Sequence, residues 1–179
     1  MDFKKLIPDF NALKSVNWQK PEVNTKDILN IFALGLSVLM IIFTLLPWFG
    51  IEATWHGDHE QCTRLGITTW YGIFAFIFTI VAGVAALYKQ HSLAFCASVL
   101  CLLFGFIGLI SYTSLVMDDV YLSAEKIKSD LKIAELVGMD VNIIRYGAIL
   151  YFIAALGSTA VNFLKATGVD VSKYIVMPE

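Results

Sequence analysis

The stretch ITTWYGIFAFIFTIVAGVAALY, residues 67–88, contains no acidic or basic side chain. An α-helix rises 1.5 Å per residue, so a helix of this length is long enough to cross the hydrocarbon core of a bilayer, which is about 30 Å thick. In lipid the backbone N–H and C=O groups must be paired within the segment, and the strict alternation typical of barrel strands is absent. The stretch therefore predicts a membrane-spanning helix.

Three further apolar blocks lie at 28–48, 92–116 and 141–164. None of the four blocks contains Asp, Glu or Lys, and only the last contains an arginine, Arg145. Across the 179 residues, 16% are charged, against about 25% in soluble domains. We therefore predict an all-α integral membrane protein. Its four transmembrane helices would form two hairpins within a domain that covers residues 27–165.

The distribution of basic residues predicts the orientation. Eight lysines lie on the side of the two termini, and five lysines and arginines lie on the other side. The positive-inside rule then places both termini in the cytoplasm, with the chain in a cytoplasmic (plasma or inner) membrane. Residues 166–179 are predicted to form a cytoplasmic C-terminal tail.

Residues 1–26 predict an amphipathic segment on the cytoplasmic leaflet, with a disordered tail as the alternative. Apolar residues recur there near helical spacing: Phe3, Leu6, Ile7, Phe10 and Leu13.

The first and third apolar blocks share a sequence pattern. Residues 32–43 and 93–104, aligned without a gap, both contain the pattern A-x-x-x-S-V-L-x-[IL]-[IL]-F, which begins at Ala33 and Ala94. The second and fourth blocks each contain a Tyr-Gly pair near their outer ends, at 71–72 and 146–147. These similarities indicate a weak internal duplication of one helical hairpin.

Small residues four positions apart allow close approach between helices. The predicted contact positions are Gly83, Ala86, Ala154 and Ser158. They are interpreted either as packing within the bundle or as an interface between copies of the chain. In the second case an oligomer could enclose a pore lined by Ser, Thr and small side chains, which needs no buried charge.

The first outer loop holds the most reactive side chains. In WHGDHEQC, residues 55–62, His56, His59 and Cys62 recur at intervals of three. Imidazole and thiolate are ligands of zinc and copper, so these residues are the candidate metal ligands. The spacing matches no standard zinc signature, and His91 belongs to the opposite side of the membrane. A metal site would therefore have to close within the loop or between subunits, and a plain polar loop is the alternative.

Cys62 is also a candidate thiol. Cys96 and Cys101 belong to the third helix, too far from Cys62 for a disulfide, which predicts a free thiol or an intermolecular bridge at Cys62. A claudin-like tetraspan protein would show a Gly-Leu-Trp sequence and a second cysteine in this loop. Both are missing, so no family is assigned.

The second outer loop, residues 117–140, predicts a short helix that is either a solvated connector or a docking surface. Beside it, Arg145 is expected to reach the interface or to pair with Asp118, Asp119 or Asp140.

No catalytic motif is present, and no ionisable residue lies deep in a predicted helix. The net charge of −2 does not indicate a surface that binds nucleic acid. We therefore predict a non-enzymatic membrane protein without a cofactor. Its expected partners are the lipid bilayer and either other copies of the chain or the subunits of a larger membrane complex. The alternatives are a pore-forming homo-oligomer, and a metal- or thiol-dependent sensor or enzyme that uses the first outer loop.

Overall fold

The computed structural model describes residues 28–55, 58–117, 120–123, 125, 127, 129 and 140–168. Its four long helices are α1 Ile28–Thr44, α2 Trp70–Leu87, α3 His91–Ile110 and α4 Tyr146–Ala166. Both α1 and α3 lie against α2 and α4, so the helices close into a four-membered bundle. By length and composition α2, α3 and α4 can cross a membrane, whereas α1 is apolar but shorter. The prediction of a largely helical membrane protein is confirmed to this extent, and the crossing by α1 stays a prediction.

The interior of the bundle is built from small side chains. On α1 the buried residues follow each other at intervals of three and four: Asn30, Ala33, Ser37, Met40 and Thr44. Alanine, serine and glycine fill the facing positions of the other helices, while large apolar side chains such as Phe32, Phe106 and Ile153 point outward. Lipid tails are as apolar as leucine, so these helices associate through close packing rather than through exclusion of water.

A small sheet caps one end of the bundle, here called the sheet end. Its strands are β1 Pro47–Trp55, β2 Asp58–Leu65 and β5 Asp140–Ile144, in the order β2-β1-β5. The central strand β1 pairs antiparallel with both neighbours, so that Ile51 lies opposite Cys62 on one side and Ile143 on the other. A separate antiparallel pair, β3 Leu115–Met117 and β4 Val120–Leu122, follows α3. The sheet thus joins residues from both outer loops.

The prediction of an all-α protein is wrong at the sheet end. The span predicted at 28–48 ends as a helix at Thr44, and residues from Pro47 onward form β1. Proline has no N–H for a helical hydrogen bond, and its ring disfavours a helical conformation in the residue before it. The segment WHGDHEQC, interpreted as a loop, belongs largely to β1 and β2.

The other helix boundaries also differ from the predicted ones. The span predicted at 92–116 leaves the helix after Ile110, at a run of hydroxyl-bearing residues that compete for backbone hydrogen bonds. The span predicted at 141–164 begins as β5, and α4 starts only at Tyr146. Before α2, Gly66–Thr68 form a 3-10 turn. There the Thr69 hydroxyl donates to the Gly66 carbonyl and accepts from Gly72 N–H, capping the helix.

Several predictions fall on other parts of the chain. The amphipathic segment 1–26 and most of the C-terminal tail lie outside the described residues, as do Asp118 and Asp119. In the loop predicted to hold a helix, residues 125, 127 and 129 are helical, and Ile127 is buried beside Phe49 and Leu115.

Candidate functional site at the junction of sheet and bundle

The chain passes from α1 into β1 through Pro47 and Trp48. Since Pro47 lacks an N–H, the Phe43 carbonyl four residues earlier loses its helical donor. The Trp48 indole Nε1 donates to that carbonyl over 2.9 Å, and Gly66 N–H donates to the Leu46 carbonyl over 3.0 Å. These bonds pair the backbone where the helix stops, as a low-dielectric environment requires.

The indole ring of Trp48 fills the sheet end of the bundle and is fully buried. Its centroid lies 4.9 Å from that of Tyr151 and 6.0 Å from that of Tyr71. Two glycines make room for it. A Cβ on Gly66 would lie 2.5 Å from the indole nitrogen, and a Cβ on Gly108 would lie 2.7 Å from a ring carbon. Trp48 therefore joins β1 to α2, α3 and α4.

A buried polar cluster lies in the bundle interior beneath Trp48. Tyr151 Oη is 2.8 Å from Thr79 Oγ1 and 3.0 Å from the Ala75 carbonyl oxygen, which Thr79 Oγ1 also approaches to 2.8 Å. Cys101 Sγ lies 3.6 Å from Thr79 Oγ1. Every group is satisfied when Thr79 donates to the Ala75 carbonyl and accepts from the Tyr151 hydroxyl and the Cys101 thiol. The cluster therefore links α2, α3 and α4 without a charge.

Two arginines attach the segment that follows α3. The Arg64 guanidinium donates to the Ser114 carbonyl over 3.0 Å and to the Thr68 carbonyl over 3.0 Å. The Arg145 guanidinium lies over the ring of Tyr112 at 4.9 Å and over that of Phe49 at 5.5 Å, within the range of cation–π attraction. Of the aspartates predicted as partners of Arg145, Asp118 and Asp119 lie outside the described residues, so the pairing with an aspartate stays a prediction.

The sheet has one apolar face and one polar face. Phe49, Ile51 and Cys62 pack with Leu115 and Ile127 on the apolar face. On the other face Gln61, Thr63 and Asn142 are exposed. This alternation is typical of an antiparallel sheet that is covered on one side and open on the other.

The opposite end of the bundle, here called the far end, carries a second polar group. Lys165 Nζ donates to Asn30 Oδ1 over 3.0 Å, which links α4 to α1. One turn earlier on α4, Asn162 Nδ2 donates to Ser158 Oγ over 3.3 Å. Asn162 is 1% exposed, and its Oδ1 has no hydrogen-bond partner among the described residues.

The candidate metal ligands are only partly described. His56 lies outside the described residues, and His59 lies in β2, where its side chain is not described. Cys62 is half-buried and forms no disulfide with the other cysteines. Within the described ranges, no three His, Cys, Asp or Glu side chains come close enough to hold a metal ion. The metal site at His56, His59 and Cys62 therefore stays a prediction.

The predicted contact positions lie in the interior of one bundle. Ala86, Ala154 and Ser158 are at most 6% exposed, and a Cβ on Gly83 would lie 3.3 Å from Ser37 Cβ. Their small side chains serve the packing of α2 and α4 against their neighbours. An interface between copies of the chain at these positions stays a prediction.

The residues that join the sheet to the bundle were not predicted from the sequence. Trp48 and Tyr71 are buried, whereas the neighbouring Trp70 is exposed. Aromatic residues at the ends of apolar blocks usually indicate the membrane–water boundary, so nothing in the pattern of aromatic residues distinguishes the three. Pro47 directly before Trp48 was the available signal, because it ends the helix and lets the indole turn back into the bundle. The Tyr151 hydroxyl, in the middle of an apolar helix, was the signal for the buried cluster.

Comparison of this chain with protein-family models, with curated proteins and with solved structures yields no match.

Proposed function

We propose that this protein is a non-enzymatic membrane protein that holds its sheet rigidly at the membrane surface for contact with other membrane proteins. It would work as a homo-oligomer or as a subunit of a larger complex, with α1 as a fourth membrane span. The lysines at the chain ends support termini in the cytoplasm and a sheet on the outer side of a cytoplasmic membrane.

The observation that carries the proposal is the junction at Trp48. Trp48 is the largest of the fully buried side chains that the structure describes. Together with two tyrosines and two close-packed glycines, it joins β1 to three helices. Two arginines then fix the segment after α3 to the same structure. Such an arrangement keeps a sheet in a fixed position, as binding surfaces require.

The two alternatives receive less support. A pore between copies of the chain would need polar groups on the outer surface of the bundle, whereas Ser37, Thr79 and Ser158 are buried inside it. A metal- or thiol-dependent sensor depends on His56 and on the side chain of His59, so it rests on the sequence alone.

Native mass spectrometry of the protein extracted from its own membrane in a mild detergent tests the proposal. One chain has a mass of 19.9 kDa. A mass at an integer multiple of this value supports the homo-oligomer, and one chain plus additional protein mass supports the larger complex. Crosslinking in the membrane before extraction guards against dissociation by detergent. A monomer under both conditions contradicts the proposal.

A further inference from the structure

Hydrogen bonds tie three of the helices together more firmly than the fourth. Thr79 joins α2 to Tyr151 of α4 and to Cys101 of α3. Nearer the far end, Thr159 Oγ1 on α4 donates to the Ser98 carbonyl of α3 over 3.1 Å. Among the described residues, α2, α3 and α4 therefore form one hydrogen-bonded unit in the bundle interior.

From its middle to the sheet end, α1 has polar side chains that are bonded within the helix itself. Ser37 Oγ donates to the Ala33 carbonyl over 2.9 Å, and Thr44 Oγ1 donates to the Ile41 carbonyl over 2.7 Å, both within α1 itself. Along its middle, α1 meets α2 and α4 through close packing, with Ser37 beside Gly83 and Leu36 beside Gly157. Separating this face of α1 from its neighbours would break neither of these hydrogen bonds.

The two ends of α1 are held in unequal ways. At the sheet end, α1 continues into β1, which is paired on both sides, and into the buried indole of Trp48. At the far end, the Lys165–Asn30 hydrogen bond holds α1 to α4. One turn before Lys165 on α4 lies Asn162, whose buried Oδ1 has no partner among the described residues. A buried acceptor without a donor raises the free energy of the closed arrangement.

We propose that α1 is a hinged helix. Its sheet end stays fixed by Trp48 and by the backbone bonds around Leu46. Its far end moves away from α4, and the Lys165–Asn30 bond is the latch that holds that end. Release of the latch opens a crevice between α1 and α4 and lets water reach Asn162 Oδ1. Because water supplies the hydrogen bond that this oxygen lacks, the open state is favoured more than it would be with an apolar residue at 162.

The hinge can be tested by the accessibility of a thiol at Ala33, a buried residue on α1 near the far end. The full chain with Cys62→Ser and Cys96→Ser carries Ala33→Cys and is reconstituted in liposomes. The rate of labelling by a small membrane-permeant thiol reagent is then measured, because only a hydrated thiolate reacts. A second probe, Ala148→Cys, reports on the sheet end, where the native alanine is also buried.

Lys165→Met should raise the labelling rate at position 33 about tenfold, the factor that corresponds to the loss of one charge-assisted hydrogen bond, and leave position 148 unchanged. Lys89→Met removes an exposed lysine at the same end and should change neither rate. Asn30→Asp replaces the neutral amide oxygen that accepts from Lys165 with a carboxylate, so it should lower the rate at position 33 below that of the parent protein.

Three results would overturn the hinge. The first is an equal rise of the labelling rate at positions 33 and 148 with Lys165→Met, which would indicate general loosening of the bundle. The second is an unchanged labelling rate at position 33 with Lys165→Met. The third is a labelling rate at position 33 that does not decrease with Asn30→Asp. If Lys165→Met does not fold, the labelling rate at position 33 with Asn30→Asp alone tests the hinge.

Discussion

At the scale of single residues, Trp48 combines two tasks that usually fall to different side chains. Its indole N–H replaces the donor that Pro47 removes from α1, and its ring provides the surface on which Tyr71 and Tyr151 pack. The loss of this side chain would remove packing and leave the Phe43 carbonyl with only the 3.3 Å bond from Leu46 N–H.

We predict that Trp48→Ala lowers the free energy of unfolding by about 3–5 kcal/mol, the usual cost of truncating a large buried aromatic side chain. Trp70→Ala is the matched control, since Trp70 is 59% exposed, and it should cost far less. Equilibrium unfolding in detergent micelles measures both values. Equal losses for the two variants would mean that Trp48 does not anchor the junction.

The glycines provide a second pair of variants at this scale. A methyl group on Gly108 would meet the Trp48 ring at 2.7 Å, whereas a Cβ on Gly35 has nothing within 4 Å. We predict that Gly108→Ala destabilises the protein by about 1–3 kcal/mol through overpacking. Gly35→Ala should be neutral or stabilising by up to about 1 kcal/mol, because glycine weakens a helix. Thermal unfolding of both variants checks this, and a stabilising Gly108→Ala would contradict it.

At the scale of elements, α1 and α3 use matching positions in matching ways. Ala33 and Ala94 are both buried, as are Ser37 and Ser98. Each half of the chain also follows its first helix with an antiparallel pair of strands. The correspondence is incomplete, because Tyr71 is buried whereas Tyr146 is 48% exposed. Duplication of the hairpin stays a prediction that the shared burial pattern supports.

The hydrogen bond between α2 and α4 can be measured by a double-mutant cycle. Tyr151→Phe and Thr79→Val each remove one hydroxyl while keeping most of the side-chain volume. We predict a coupling energy of about 0.6 kcal/mol and at most about 1.7 kcal/mol, the range found for hydrogen bonds between membrane helices. Effects that simply add would show that the contact of 2.8 Å does not contribute to stability.

The helices could be predicted from the sequence because long runs without charge allow few other structures in lipid. The sheet could not be predicted, because β1 and β5 overlap apolar blocks. Val141, Ile143 and Ile144 belong to an apolar pattern that is equally compatible with a helix. The cluster around Tyr151 depends on contacts between residues more than 70 positions apart. The spacing of residues within one helix does not indicate contacts between residues so far apart in the sequence.

At the scale of the whole molecule, the described residues at the two ends of the bundle lie on opposite sides of α2. Gln61 is exposed on β2, and Lys89 is exposed in the turn after α2. If α2 crosses the membrane, these two positions face different compartments.

We predict that, in a Cys62→Ser background, Gln61→Cys is labelled by a membrane-impermeant maleimide on intact cells. Lys89→Cys should be labelled only after the membrane is permeabilised. The reverse pattern would invert the proposed orientation while keeping the crossing by α2. Labelling of both positions on intact cells would contradict the crossing itself.

The pairing of β1 with β5 also affects how the protein is made. Gly50 lies opposite Ile144, so one edge of β1 receives its partner only after the ribosome has added more than 90 further residues. At about 5–20 residues per second, β1 waits roughly 5–20 seconds after its own synthesis. If α2 and α3 cross the membrane as proposed, an open strand edge stands beside the inserted α2–α3 hairpin during that interval, available to neighbouring nascent chains. We therefore expect biogenesis of this protein to depend on shielding of β1 until α4 has entered the membrane.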